Sequence, residues 1–308
     1  MATSSSTPAR RPPASCTGAR ARDRDDELIG ADLSLRPVRP TDRRRALELT
    51  AGSPDGARAA GEFDAWVADP GATFLAAELD GEVVGWERFR PVAPGVASLE
   101  ALWVGPEHRG RGAGREMLRR ALIEAGTQGF REMRLLAAGE AMRRLAAGAG
   151  FERRCECAVW TASRLEGPDL PRLAAAAEVA ALAAWLENDP AWRAYGGINP
   201  SPDALLDLGS PLLAALAGEG RVRLGAGGRS VALLRQSESR RRLPVTFVAG
   251  DGGLSGLLLG LRFEADALGL DSVALLAPPD HPQVGALEET GYHRGLDEDL
   301  RSVHVRAL

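Results

Sequence analysis

A strand that runs into a glycine-rich basic turn and then into a helix constrains this chain more than any other stretch. Leu99, Ala101, Trp103 and Val104 belong to an apolar run rich in β-formers. Pro106 ends that run, and Arg109-Gly110-Arg111-Gly112-Ala113-Gly114 follows as a small, basic, flexible turn. Met117, Leu118, Ala121, Leu122 and Ala125 then recur at helical spacing, so the turn opens an amphipathic helix. The start of a helix presents unpaired N–H groups and the positive end of its dipole, and glycines let an anion approach the backbone. The stretch therefore predicts an anion-binding strand–turn–helix unit, with a chance basic turn in an Arg- and Gly-rich protein as the competing explanation. It is not a P-loop, because no Gly-Lys-Ser/Thr follows, and it is not Gly-x-Gly-x-x-Gly.

Length and composition bound the rest. A chain of 308 residues, 44% of them hydrophobic, suffices for two domains of ordinary size. A formal charge of −4 gives no electrostatic footprint for nucleic acid or an anionic membrane. There is no lysine, so all 38 basic residues are arginine, and isolated arginine clusters carry little weight. Cys16, Cys155 and Cys157 make neither a disulfide framework nor a zinc quartet. No metal is expected. No apolar run approaches the ~20 residues of a membrane span, so a cytoplasmic protein is the expectation. Residues 1–30, rich in Ser, Thr, Pro and Arg without apolar periodicity, read as a disordered extension lacking the core of a signal peptide.

Arg-x-x-Gly-x-Gly directly after Val-x-Pro-Glu closely resembles the acyl-CoA signature of the GNAT superfamily of N-acetyltransferases. The surrounding order fits that family over residues 32–163: a first strand at 33–38, helices through Ala46 to Leu49 and Glu62 to Ala68, and strands at 73–79, 82–90 and 96–104. After the motif helix come a strand at 130–138, a short helix at 140–147 and a strand at 151–161. The resemblance implies acetyl-CoA as acyl-donor substrate. It places the pyrophosphate on Arg109, Gly110, Arg111, Gly112, Ala113 and Gly114, and the pantetheine arm and thioester along Leu102, Trp103 and Val104. It further implies transfer of acetyl to a primary amine of a small molecule or peptide, by direct attack in a ternary complex.

The chain departs from the family at one point. GNAT proteins often carry Asn and then a general-acid Tyr on the helix before Gly-Phe. Counting back from Gly150-Phe151, those positions fall on Gly139 and Ala146, neither of which can protonate a thiolate. A non-catalytic CoA-binding or interaction protein with this fold is therefore one alternative to an acetyltransferase, and use of another acyl donor, such as succinyl-CoA met by a basic residue near its tail, is a further one. For the amine proton, Glu100 is the candidate catalytic base, as the one acidic residue on the motif strand. Its competing reading is a half-buried carboxylate paired with Arg88 or Arg90. Glu87 is a weaker candidate. His108 beside the loop, and Glu62, Phe63, Asp64 and Trp66 on the second helix, are explained by ordinary packing as well as by substrate contact. Cys155 and Cys157 sit on one face of a strand, as small buried residues do.

Residues 171–308 repeat the same order. Helices fit Leu173 to Leu186 and Ala204 to Leu216, and strands fit 221–224, 231–236, 244–249 and 270–277. A helix through Leu257 to Ala265 follows Gly250-Asp251-Gly252-Gly253, which stands where the phosphate loop would be. Leu135-Leu136 matches Leu275-Leu276 at an offset of 140, and Gly150-Phe151 matches Gly291-Tyr292 at 141, as an internal repeat would give. The second loop has no arginine and an aspartate in the anion's place, which predicts a degenerate copy without acetyl-CoA that completes the acceptor pocket or mimics a dimer partner. The fold expected is α/β (α+β): two tandem GNAT-type domains, 31–163 and 164–308, each a mixed, mostly antiparallel sheet flanked by helices. The particle is then a monomeric pseudo-dimer or a homodimer.

Overall fold

The computed structural model describes residues 33–308 except 52–53, 203, 237–240, 252 and 297–299, with the side chains of 54–60 and 204 also outside the description. The expected extension, 1–30, lies outside the described residues. Strand β1 (Ser34–Pro37) leads into helices α1 (Arg43–Thr50) and α2 (Pro54–Ala68), followed by a meander of β2 (Thr73–Leu79), β3 (Glu82–Ala93) and β4 (Val96–Val104). Asp80 and Gly81, both at positive φ (52° and 81°), close the β2–β3 turn, as the Asp-Gly pair demands. Helix α3 (Ala113–Thr127), β5 (Glu132–Ala138), α4 (Gly139–Gly148) and β6 (Glu152–Ser163) complete the first half. The second half runs β7 (Arg172–Leu173), α5 (Val179–Leu186), α6 (Pro190–Ala194), β8 (Ile198–Ser201), β9 (Ala204–Asp207), α7 (Ser210–Gly218), β10 (Val222–Leu224), β11 (Ser230–Leu234) and β12 (Arg242–Gly250). It ends with α8 (Leu254–Ala267), β13 (Ser272–Ala277), α9 (Val284–Glu289), β14 (His293–Arg294) and β15 (Arg301–Ala307).

Two helices expected from periodicity differ. Ala204 to Asp207 is strand β9, hydrogen-bonded to β8, and the helix starts only at Ser210. The reason is Pro211, which a helix tolerates in its first turn but not in its interior. Arg172 and Leu173 pair with β10 as an edge strand, so α5 begins at Val179 rather than at Leu173.

Both halves share one mixed, mostly antiparallel thirteen-stranded sheet in the order β1-β2-β3-β4-β5-β15-β6-β13-β12-β11-β10-β7, with β14 on β6. The last strand of the chain, β15, lies between β5 and β6 of the first half. Strand β6 in turn pairs with β13 of the second. The halves have thus exchanged strands. The register shows an approximate two-fold relation. The parallel β4–β5 ladder pairs Val96 with Glu132 and stops at Leu99 with Leu135; the β12–β13 ladder pairs Arg242 with Ser272 and stops at Val245 with Leu275. Arg301 next to Ala138 on β5 corresponds to Cys157, one step from Ala158 beside Ala277 on β13, and Arg301 and Cys157 pair with each other. The two-fold therefore passes through the middle of the sheet. Helices α3 and α8 cover one face at the motif strands, while α1, α2 and the β8–β9 hairpin cover the other, the hairpin packing across β3, β4 and β5.

Candidate active site

The turn after β4 keeps its backbone donors available. Gly110 and Gly112 adopt φ of +72° and +86°, which only glycine takes without strain, and Gly112 is the residue before the first turn of α3. The first bond onto the helix is donated by the Glu116 N–H to the Gly112 carbonyl at 3.1 Å. The amides of Ala113 and Gly114 precede that bond and follow directly on the exposed Arg109–Arg111 turn. Arg109 turns back, donating to the Val104 carbonyl at 2.9 Å and lying 4.8 Å from the Trp103 ring centre. His108 contacts Glu107 at 3.7 Å.

Beyond Leu99 the strands β4 and β5 part, because no pairs join residues 100–104 to β5. The split is sharpened by a bulge in β4: Arg88 pairs with Ala101 and Phe89 with Leu99, so Glu100 is the extra residue. A cavity of about 200 Å³ opens at this split. Its walls are the β4 segment from Ser98 to Trp103, the indoles of Trp66 and Trp86, Leu136 and Ala138 on β5, and Met142 on α4. Its roof is Ser201, Pro202 and Leu205 of the β8–β9 hairpin, and Arg301 of β15 forms a further wall.

Glu100 lies in this cavity with its side chain only 4% exposed, ion-paired to both Arg88 and Arg90, the latter at 2.6 Å. Arg88 also donates to Asp69 at 2.5 Å. The two guanidiniums hold the Glu100 carboxylate in place. Glu87 points to the other face. It is fully buried, no partner reaches either carboxyl oxygen, and burial pushes its pKa up to about 8. It is outside the cavity. Phe63 and Trp66 stack edge-on with Phe74 in the core under α2. Cys155 and Cys157 are buried side by side on β6. Ala146 is fully buried and Gly139 starts α4 at φ +73°, so neither presents an acid. Among the described residues no cluster of His, Cys, Asp and Glu has the makings of a metal site, and no helix is long and apolar enough to cross a membrane.

Residues 42–151, which hold the loop, the β4–β5 split and Glu100 but not the roof residues or Arg301, match the family model of the GNAT acetyltransferases. The chain carries a GNAT acetyltransferase domain. That domain is of the acetyl-CoA-dependent acyltransferase type. Among solved structures, a GCN5-related N-acetyltransferase from Sphaerobacter thermophilus is similar at 14% identity and TM-score 0.60, over 90% of this chain and 96% of that one. A tandem GNAT protein from the clavulanic acid biosynthesis pathway is similar at 14% identity and TM-score 0.57, over 89% and 98%. A GCN5-related N-acetyltransferase from Kribbella flavida follows at 19% and 0.52, over 90% and 71%. These likenesses extend the GNAT fold to the tandem arrangement of the whole chain. No curated protein sequence matches it.

The second GNAT-like half has the same split with different contents. Between β12 and β13, Tyr195 of the short connection after α6 occupies the gap: its hydroxyl donates to the Leu276 carbonyl at 2.8 Å and accepts from the Val248 N–H at 3.4 Å. By register Val248 matches Leu102 (both lie three residues past the last β12–β13 or β4–β5 pair), so the amide at that position is taken by a phenol in the second half. The second loop is also closed on itself. The Asp251 N–H donates to Arg229, the Gly253 N–H to Asp251, and Gln283 donates to the Gly250 carbonyl. Sequence reasoning missed Tyr195, Arg301 and the roof residues Ser201, Pro202 and Leu205. They come from other strands or from the other half, and no local spacing announces such an arrival.

Proposed function

We propose that the first half binds one acetyl-CoA and acetylates a primary amine of a small molecule within a ternary complex, and that the second half, from 164 on, serves as its roof and binds no donor. The observation that carries this reading is the split between β4 and β5 beyond Leu99, which opens into a tryptophan-walled cavity, on the strand that leads directly into the Arg109–Gly114 loop. In this reading the amides of Gly110, Arg111, Gly112, Ala113 and Gly114 take the pyrophosphate, Arg109 flanks it, and the arm lies against Leu102, Trp103 and Val104. The unpaired β4 backbone there supplies an N–H for the thioester oxygen as negative charge develops on it. The amine nitrogen bonds to the carbonyl carbon, the C–S bond breaks, and the nitrogen gives up a proton. With alanine at 146, the thiolate takes a proton from water, which a weakly basic leaving group permits. A cavity of about 200 Å³ suits a small acceptor rather than a folded protein.

Glu100 is proposed as the group toward which the amine's proton moves. Its two guanidinium partners favour a second role, a fixed wall that orients the acceptor. Glu100→Gln separates the two: a base loses roughly 10²–10⁴ in kcat, while a wall loses far less and mainly raises KM. The experiment that tests the whole reading is calorimetric titration of acetyl-CoA into the wild type and Gly112→Asp. One site per chain in the first and none in the second is expected, because a Cβ strains the left-handed turn and the carboxylate repels the pyrophosphate. Two sites, or none in the wild type, would sink it.

A further inference from the structure

We propose that the cavity takes a substrate bearing a carboxylate, and that Arg301 is its receptor; this rests on the acetyltransferase reading above and specifies what that site accepts. Two charged side chains line the cavity, Glu100 and Arg301. Glu100 is already matched by Arg88 and Arg90. The Arg301 guanidinium has no hydrogen bond or ion pair among the described residues, and it lies beyond 4.0 Å from Glu100 although both face one cavity. The half-buried Arg301 lines the cavity, and a carboxylate answers its planar fork with two parallel hydrogen bonds.

The position is one the fold does not require to be charged. Its two-fold counterpart is Cys157, a small buried residue in the same sheet, where the matching gap is filled by Tyr195. Where the gap is filled, the register position is apolar; where it is open, the position is arginine. Arg301 also stands at a useful distance. It is on β15, with β5 between it and β4, so its backbone stands at least two inter-strand steps of about 4.8 Å from residues 102–104, the second step widened where β4 and β5 part. That span of roughly 10 Å, shortened by the arginine side chain, fits a small molecule whose reacting end is at β4 and whose carboxylate is at β15.

The carboxylate has two chemical sources, the acceptor or the tail of a dicarboxylic acyl donor, and the test separates them. In the donor arm, succinyl-CoA and butyryl-CoA are titrated into the full chain. In the acceptor arm, serine, leucine and phenylalanine are titrated into the CoA-saturated chain against ethanolamine, isoamylamine and phenethylamine, which lack only the carboxylate. In one arm the carboxylate probe is expected to bind at least roughly tenfold more tightly than its uncharged counterpart. Arg301→Leu should erase that preference while leaving butyryl-CoA affinity within about twofold, and Arg301→Lys should keep part of it. No preference in either arm, or a preference that survives Arg301→Leu, overturns the proposal while acetyl-CoA binding still upholds the parent reading. Loss of acetyl-CoA binding in the wild type overturns both.

Discussion

The chain contains the same cleft twice, once open and once plugged, and the difference lies in a handful of side chains rather than in the backbone. Both parallel ladders stop after matching pairs, Leu99 with Leu135 and Val245 with Leu275. Both motif strands carry a bulge at the matching place, with Glu100 skipped in one and Thr246 in the other. On the strand alongside, Gly85 pairs with Val104 and Ser230 with Gly250. Yet one split encloses a cavity, and the other encloses Tyr195 with both backbone partners of its hydroxyl. A splayed pair of strands leaves N–H and C=O groups that must be satisfied. A substrate can do this transiently, and a buried phenol does it permanently.

The comparison breaks most completely if either half stands alone. Residues 31–163 expressed without the rest lack β15 between β5 and β6 and lack β13 beside β6. Such a fragment is expected to show no cooperative unfolding transition by circular dichroism; a sharp one would mean that the halves are independent and the strand exchange incidental. Unplugging the second cleft comes next. Tyr195→Ala removes a fully buried ring and strands two backbone groups. It should cost roughly 3–5 kcal/mol in urea unfolding, yet leave one acetyl-CoA per chain, because the second loop stays closed on itself.

Glu87 sharpens the comparison on the strand beside the cleft, where the second half carries the buried Ala232. The Glu87 pKa is raised from its ordinary value to about 8. The unfolded chain loses this proton near pH 4.5, whereas the folded chain keeps it until about pH 8. Stability is therefore fully present below the unfolded value, declines as pH rises through this window, and levels off above it. Glu87→Gln should flatten that decline, which amounts to roughly 5 kcal/mol at most between pH 4.5 and pH 9. Identical urea midpoints from pH 5 to pH 9 in both proteins would remove this account. Gly85→Ala follows in size: its Cβ would lie 2.5 Å from the Trp103 carbonyl oxygen and 3.1 Å from the Met117 sulfur. A loss of about 1–3 kcal/mol is expected, although the second half accommodates Ser230 at the matching place. The smallest effect is Gly114→Ala, whose Cβ meets Val104 at an ordinary 3.6 Å. Melting should show a gain of up to about 1 kcal/mol from helix propensity, and calorimetry a weaker acetyl-CoA, because the methyl would stand on the side of the cleft proposed for the donor.

Most of the fold was legible. The Asp80-Gly81 turn, the motif strand, the loop and α3 are set by residues adjacent in the chain, and so were the repeat and its offset of 140, which the β-ladders reproduce between Glu132 and Ser272. The helix assigned from Ala204 failed at Pro211, a signal that was present in the sequence and outweighed there by apolar periodicity. The pairing of Glu100 was half legible: Arg88 and Arg90 were its candidate partners, and the bulge is what lets both reach it.

The sequence by itself determined the local chemistry of this protein. It set where strands end, which turn needs glycine, where a helix N-terminus is free to hold an anion, and which copy of the loop has lost its charge. Those properties depend on φ/ψ preferences and on spacing within a few residues. Only the tertiary structure decided what shares the cavity. Exchange of β6 and β15 carried Arg301 more than 150 residues along the chain to Glu100, and the β8–β9 hairpin brought Ser201 and Leu205 over them. Cross-strand neighbours are chosen by sheet order and register, and burial of two apolar faces across the whole chain fixes those.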